Sequence, residues 1–314
     1  MSLPRYDELP PAPAGGRSAW GVFGAGDQLG TLNLQTADRI RAAAALVTRG
    51  AMFPLNAPID AFAHEQWGRR IPRHETVHEP GGIFFDDVLQ DFGPQGSSQW
   101  DSLGHVGYRP GEFWNGATEA DVAAGRRNTI DVVARRGIAG RGVLLDMPAT
   151  FRELGRDYDP AASVAFGVEE LETAYAMARV TPEAGDILML YTGYAENFAA
   201  LTTRERTERP FVCPGLAHDE QVVRWLWDRQ LSAIASDNLA IEAWPIDLGP
   251  DAFPFGALHN MLIGRLGFTL GELWDLAALA RDCAADGRHT VFLVSAPSNI
   301  PGGYGSPANV VALK

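Results

Sequence analysis

Apolar positions along this chain fall into short runs that alternate between two periods. A helical period marks residues 37–47, with Thr36 as N-cap and Gly50 as the stop. The same spacing returns over 168–179 and 270–285, and over 219–229, where Val222, Val223, Leu226 and Trp227 share a face. Thr118-Glu119-Ala120-Asp121 reads as a capping box that opens a further short helix. Between these lie continuous apolar runs too short for helices, at 142–147, 186–191, 231–236 and 290–295, each predicting a buried strand. Residues 54–62 read as extended, Phe84-Phe85-Asp86-Asp87-Val88 as strand-like and acidic, and 88–92 as a strand end. Strands alternating with helices predict an α/β fold, helices packed on a mixed sheet. Residues 1–19, with Pro10-Pro11-Ala12-Pro13-Ala14-Gly15-Gly16, predict a flexible N-terminal arm, poorly ordered or laid over a neighbouring surface. Residues 20–314 show no internal repeat and no convincing linker, so a single domain is expected.

Composition narrows the function classes. The chain's 26 basic and 39 acidic side chains give a net charge of −13, which leaves no basic surplus for nucleic acid or an anionic membrane. Two cysteines, Cys213 and Cys283, are too few for a disulfide framework or a thiolate zinc site and fit a reducing cytoplasm. The segment Met1-Ser2-Leu3-Pro4-Arg5-Tyr6-Asp7-Glu8 lacks the apolar run of a signal peptide, and no uncharged apolar stretch reaches the roughly 18 residues of a membrane span. A soluble cytoplasmic protein is expected.

The stretch Gln95-Gly-Ser-Ser-Gln99-Trp100-Asp101-Ser-Leu-Gly-His105 is more polar than a core requires. In a helix or tight turn, Asp101 and His105 would share one face, where a carboxylate can hold a cation or orient an imidazole that moves protons near neutral pH. A hydrogen-bonded pair fastening a loop is the simpler account of these two residues alone. His259 and Glu272 form a second candidate pair, with Glu272 read as early on the 270–285 helix, where its charge also suits the dipole. Asp237, Asn238 and Glu242 follow a buried strand, a favourable place for a site, although turn chemistry explains them equally. No Gly-x-Ser-x-Gly elbow is present, and the glycines from Gly137 to Gly142 precede a strand rather than follow one, the wrong order for a dinucleotide loop. Cys213, with His218 nearby in sequence, reads as a small buried residue, and the loop from Pro301 to Pro307 as a set of turns.

Taken together, these pieces resemble the putative cyclase family, which includes bacterial kynurenine formamidase and isatin hydrolase. The family motif His-x-Gly-Thr-His-x-Asp-x-Pro-x-His falls on Gln95, Ser97, Ser98, Gln99, Asp101, Leu103 and His105. Asp101 and His105 match, whereas glutamines replace both metal-ligand histidines and leucine replaces the proline. The chain is most similar to a longer branch with Gln-Trp-Asp at the motif core. Trp20-Gly21, Gly30-Thr31-Leu32-Asn33, Phe113-Trp114-Asn115-Gly116, the run from Gly140 to Asp146, Ala235-Ser236-Asp237-Asn238, His259, Gly271-Glu272 and the run from Gly305 to Asn309 resemble that branch in order.

The resemblance implies an α/β fold of the swivelling β/β/α type, assembled as a homodimer or homotetramer. It also implies a hydrolase that opens an amide, lactam or ester bond of a small cyclic or aromatic compound. Asp101, His105, His259 and Glu272 would supply catalytic groups and metal ligands. Gln95 and Gln99 would contact substrate, with Trp100, Tyr108, Trp114 and Tyr194 as aromatic walls. With two imidazoles replaced by amides, zinc is disfavoured against the harder cations manganese and magnesium. Two alternatives stay open: a metal-independent cyclase, dehydratase or isomerase using Asp101 and His105, and a catalytically silent binding protein.

Overall fold

The computed structural model describes residues 3–62 and 69–314. Its strands are β1 (Met52–Pro54), β2 (Arg73–His78), β3 (Phe85–Gln90), β4 (Gln99–Asp101), β5 (Ile138–Asp146), β6 (Ala165–Phe166), β7 (Ile187–Tyr191), β8 (Gly215–Leu216), β9 (Ala233–Ser236), β10 (Thr269–Glu272), β11 (Thr290–Ser295), β12 (Gly305–Pro307) and β13 (Val310–Leu313). Nine of them form one mixed sheet in the order β1-β13-β11-β5-β7-β9-β10-β4-β12. The central four, β5, β7, β9 and β10, run parallel, and both flanks are antiparallel.

The parallel centre explains the apolar runs. A strand covered on both faces has no solvent side on which to alternate. In β5, Val143 and Leu145 join one hydrophobic core and Leu144 the other. In β7, Leu188 and Leu190 likewise face the first core, Ile187 and Met189 the second. Helices Val168–Ala178 and Glu220–Asp228 pack on the first face, and Ala277–Asp286 covers the second. The expected α/β fold with helices on a mixed sheet is the one observed.

Residues 3–19 lie over a neighbouring surface: Leu3, Tyr6 and Leu9 are buried, the Tyr6 amide donates to Asp228 Oδ1 (2.7 Å), and Trp227 Nε1 donates to the Pro4 carbonyl (2.9 Å). Those apolar side chains, spaced three apart, join the core that also holds Val222, Val223, Leu226 and Trp227. The helix expected from 270 begins only at Ala277, because Thr269–Glu272 pairs as β10 between β9 and β4. Gly271 is needed there, since a Cβ would lie 2.8 Å from the ring of Trp274. Glu272 therefore ends a strand and owes nothing to a helix dipole.

Strands β2 and β3 form a separate hairpin. It carries the acidic Asp86 and Asp87, and almost all its strand residues are exposed. The capping box at Thr118 is present, on helix Glu119–Ala123. Among the described residues no helix is long and apolar enough to cross a membrane.

Candidate active site

Strand β4 is the floor of the site. Its side chains alternate, so Gln99 and Asp101 point to one face and Trp100 to the other. The register puts Gln99 opposite Glu272 of β10, and Gln99 Nε2 donates to Glu272 Oε2. After Asp101 the chain turns, with the His105 amide donating to the Ser102 carbonyl (3.0 Å), and His105 Nε2 comes to 3.8 Å from Asp101 Oδ1. The Gln95 amide nitrogen bridges the two: it donates to Asp101 Oδ1 at 2.6 Å and lies 3.1 Å from His105 Nδ1. Gly305 of β12, paired with Asp101, makes room for that bridge, since a Cβ there would sit 2.5 Å from Gln95 Cγ.

The fourth side comes from helix Leu258–Leu262. His259 Nδ1 contacts both oxygens of Glu242, at 2.8 and 3.0 Å, and Nε2 lies 3.1 Å from Glu272 Oε1 and 3.8 Å from Asp101 Oδ2. Asp101, His105, His259 and Glu272, up to 171 positions apart in sequence, thus converge, joined by Gln95 and Gln99.

Burial and neighbouring charge set the protonation pattern. Burial, then the Asp101 charge, push Glu272 up to about 7. Burial opposes ionisation of Asp101 as well, but the imidazoles of His105 and His259 outweigh it and hold Asp101 below the usual carboxylate range. His259 is likewise penalised by burial, yet Glu242, Asp101 and Glu272 raise it well above an ordinary histidine. Burial lowers His105, so its neutral form prevails at neutral pH. One imidazole is thus charged and clasped by carboxylates, while the other is neutral and partly exposed.

Asp101, His259 and Glu272 each offer a ligand atom within 4.8 Å of the others. Asp101 Oδ2 and Gln99 Oε1 are buried without a hydrogen-bond partner, which a cation would supply. Two carboxylates, one imidazole and an amide oxygen suit an oxygen-preferring divalent ion, so the donor set fits a metal. His105 stands outside this cluster of three.

The cluster opens into a pocket of about 390 Å³, within the range of small-molecule sites. His105, His259, Glu242, Glu272 and Gln95 line its polar end, and Val106, Leu239, Trp244, Ile246 and Leu248 its apolar walls. Arg69 reaches the same cavity.

The expected aromatic walls are corrected. Trp100 lies on the far face of β4, edge-on to Trp274 (centroids 4.8 Å apart), with Nε1 donating to Ser295 Oγ. Tyr108 is buried against Phe253 and Arg265, and its hydroxyl donates to the Gly15 carbonyl. Trp114 fills the space beside Gly267 and donates to Asp27 Oδ2. Tyr194 lines a separate cavity of about 30 Å³ with Phe198 and Phe211. Large aromatic side chains were the most attractive core material, and the core took them.

Of the other candidates, Asp237 accepts from the Thr192 amide and hydroxyl, and Asn238 Nδ2 donates to the Pro214 carbonyl, so both hold loops. Cys213 is buried, and burial pushes its thiol up to about 12. Glu242, which orients His259, was visible as a lone acid within Leu239-Ala240-Ile241-Glu242-Ala243-Trp244, an apolar setting that a mere turn residue does not need. The apolar walls carry no sequence signal that separates them from core.

These features define an α/β protein whose polar cluster sits at one end of a parallel sheet centre. The family model described as Putative cyclase matches residues 53–243, and a crystal structure of a novel cyclase is 33% identical over 95% of this chain and 99% of that chain, with a TM-score of 0.82. The chain belongs to the putative cyclase family. Isatin hydrolase A from Ralstonia solanacearum is similar at 18% identity, covering 89% of this chain and 98% of that chain, with a TM-score of 0.59. Isatin hydrolase A from Labrenzia aggregata bound to benzyl benzoate is 17% identical, covering 83% of this chain and 93% of that chain, also at 0.59. At these identities the two hydrolases share the fold. No curated protein matches.

Proposed function

We propose that the protein is a hydrolase that opens an amide, lactam or ester bond of a small cyclic or aromatic compound. The observation that carries this reading is one pocket with two chemically different ends: an apolar wall sized for a ring and a polar end holding a neutral and a charged imidazole. Asp101, Glu272 and His259 are the residues that would hold a divalent ion. When bound, such an ion acidifies a water and polarises the scissile carbonyl. His105 takes the proton of the attacking water as oxygen bonds to the carbonyl carbon, then returns it to the leaving nitrogen or oxygen as that bond breaks. Gln95 keeps His105 and Asp101 in one frame. Glu242, at Nδ1 of His259, fixes that ring with Nε2 turned toward Asp101 and Glu272.

One observation favours a second reading. The Gln95 and Gln99 N–H groups each donate to one oxygen of Asp101 and Glu272, and His259 supplies a positive charge beside both, so part of their negative charge is met without an ion. Acid–base chemistry without metal, such as cyclisation, dehydration or isomerisation, would use the same side chains.

A screen over lactams, aryl amides, lactones and esters, with elemental analysis before and after chelation, tests both. Hydrolysis that needs one bound divalent ion per chain supports the first reading; turnover by metal-free protein supports the second. Absence of turnover across the panel, with ligand binding retained, would leave a silent binding protein.

A further inference from the structure

We propose that the substrate is an acid: a ring compound whose carboxylate enters the small cavity beside the pocket, at Arg206 and Arg209. This assignment rests on the pocket being the substrate site, whichever bond is broken there. The side cavity, of about 30 Å³, has room for about two waters or a carboxylate, and none for a ring. Arg69 and Leu239 line both spaces. Phe211, on the cavity, stands edge-on to Trp244, on the pocket, with ring centroids 5.3 Å apart. The two spaces are thus neighbours across one layer of side chains, and a short substituent on a ring in the pocket spans them.

Charge selects the ligand. In a chain of net charge −13, three arginines line this cavity, and among the described residues no aspartate or glutamate does. Arg206 donates from Nε to the Leu201 carbonyl (3.1 Å) and from Nη2 to the Ala199 carbonyl (2.8 Å), neutral acceptors rather than carboxylates. Arg209 is engaged still less. Its Nη2 reaches the Ala161 carbonyl only at 3.5 Å, and its Nη1 is buried with no hydrogen-bond partner. The acids adjacent in sequence, Glu205 and Glu208, are turned to Thr202 and Arg204 instead. A buried guanidinium nitrogen without an acceptor is unfavourable, and a bound anion removes that penalty. The rings hold these cations in place: Arg206 lies over Phe198 (5.1 Å), and Arg209 over Tyr194 (5.3 Å) and Phe198 (5.7 Å). Stacking occupies the flat face of a guanidinium and leaves its N–H edge for a carboxylate, which matches it in two parallel bonds. Tyr194, expected as a wall of the pocket itself, instead backs the arginine next door.

Calorimetric titration of the full chain with unreactive probes tests this without any turnover. Hydrocinnamate is expected to bind roughly 10–100-fold more tightly than its neutral amide, hydrocinnamamide, the span of a charge-assisted hydrogen bond. Arg209→Gln is expected to abolish that preference, and Arg209→Lys to restore part of it. Arg206→Gln should reduce it as well, and serves as the test if Arg209→Gln does not fold. Equal affinity of the wild type for acid and amide, or a preference that survives both glutamines, overturns the proposal. So does formate that binds as tightly as hydrocinnamate, which would make the cavity a free-anion site independent of the pocket. A preference for acids in a protein that hydrolyses nothing would uphold the acid site and sink the hydrolase. Hydrolysis of neutral lactams by a chain indifferent to acids would do the reverse.

Discussion

Two clusters of charge in this protein look alike and are built differently. Around Lys314, which is buried, two cations meet two anions: Lys314 Nζ lies 2.8 Å from both Asp282 and Asp286, and Arg49 reaches the same two carboxylates, also at 2.8 Å. None of these carboxylate oxygens is among the buried atoms lacking a partner. At the pocket, three carboxylates, Asp101, Glu242 and Glu272, gather round one strongly basic imidazole, and Asp101 Oδ2 and Gln99 Oε1 are left bare. A cluster built for stability closes its bonds. One that leaves buried acceptors open, in a pocket, is arranged to receive something.

The contrast breaks most visibly through activity. His105→Ala is expected to lower turnover by roughly 10²–10⁴-fold, the usual worth of a general base, while the melting temperature moves little because the side chain is partly exposed. Asp101→Asn should lose turnover on the same scale. Unchanged rates in both variants would reduce the pocket to another structural cluster. Ion binding comes next in size: saturating Mn²⁺, at about 100 times its dissociation constant, should stabilise the fold by about 2.7 kcal/mol. The shift should vanish in Asp101→Asn. A melting temperature indifferent to Mn²⁺, Mg²⁺ and Zn²⁺ in an active protein would favour the metal-free reading.

Lys314→Met probes the other side. It removes a buried cation from carboxylates that keep only Arg49, and should cost about 1–3 kcal/mol with turnover unchanged. Arg49 and Lys314 hold Asp282 low; burial opposes this at Asp286, where Lys314 still wins. Acids lowered in the fold stabilise it above the ordinary carboxylate pKa, and that stability fades as pH falls through the folded value. The gap between wild type and variant should therefore narrow below about pH 4 in denaturant titrations. A gap that widens in acid would contradict the assignment.

How much of this was legible in the sequence follows from the kind of signal each part leaves. The parallel centre was readable because burial on both faces forces unbroken apolar runs such as Leu188-Met189-Leu190. Asp101, His105, His259 and Glu272 were readable because polar residues in those strings resemble a family motif. Their convergence depends on β4 pairing antiparallel with β10, a contact between positions about 170 apart that no local pattern carries. Trp100 shows the limit: it sits between Gln99 and Asp101 in sequence, yet the two-residue period of a strand turns it to the opposite core. The 270–285 region misled for a similar reason, since a four-residue strand followed by a turn and a helix blends into one helical-looking run.

Asp237 is the smallest test and the most discriminating, because it too is buried with a bare oxygen, Oδ2, yet stands outside the pocket. Burial pushes it up to about 7, against the hydrogen bonds from Thr192 that favour its charged form. A carboxyl raised in the fold contributes stability that is complete below its unfolded pKa, near 3.9, and is lost as pH rises through the folded value. Between pH 5 and pH 8 the wild type should lose stability relative to Asp237→Asn, which has no proton to release over that range. Turnover, measured at pH 5, should be the same in both. If Asp237→Asn abolished turnover while keeping its stability, an open buried oxygen would be enough to mark a functional group, and the surplus of carboxylates around His259 would lose its standing as the distinguishing feature of the site.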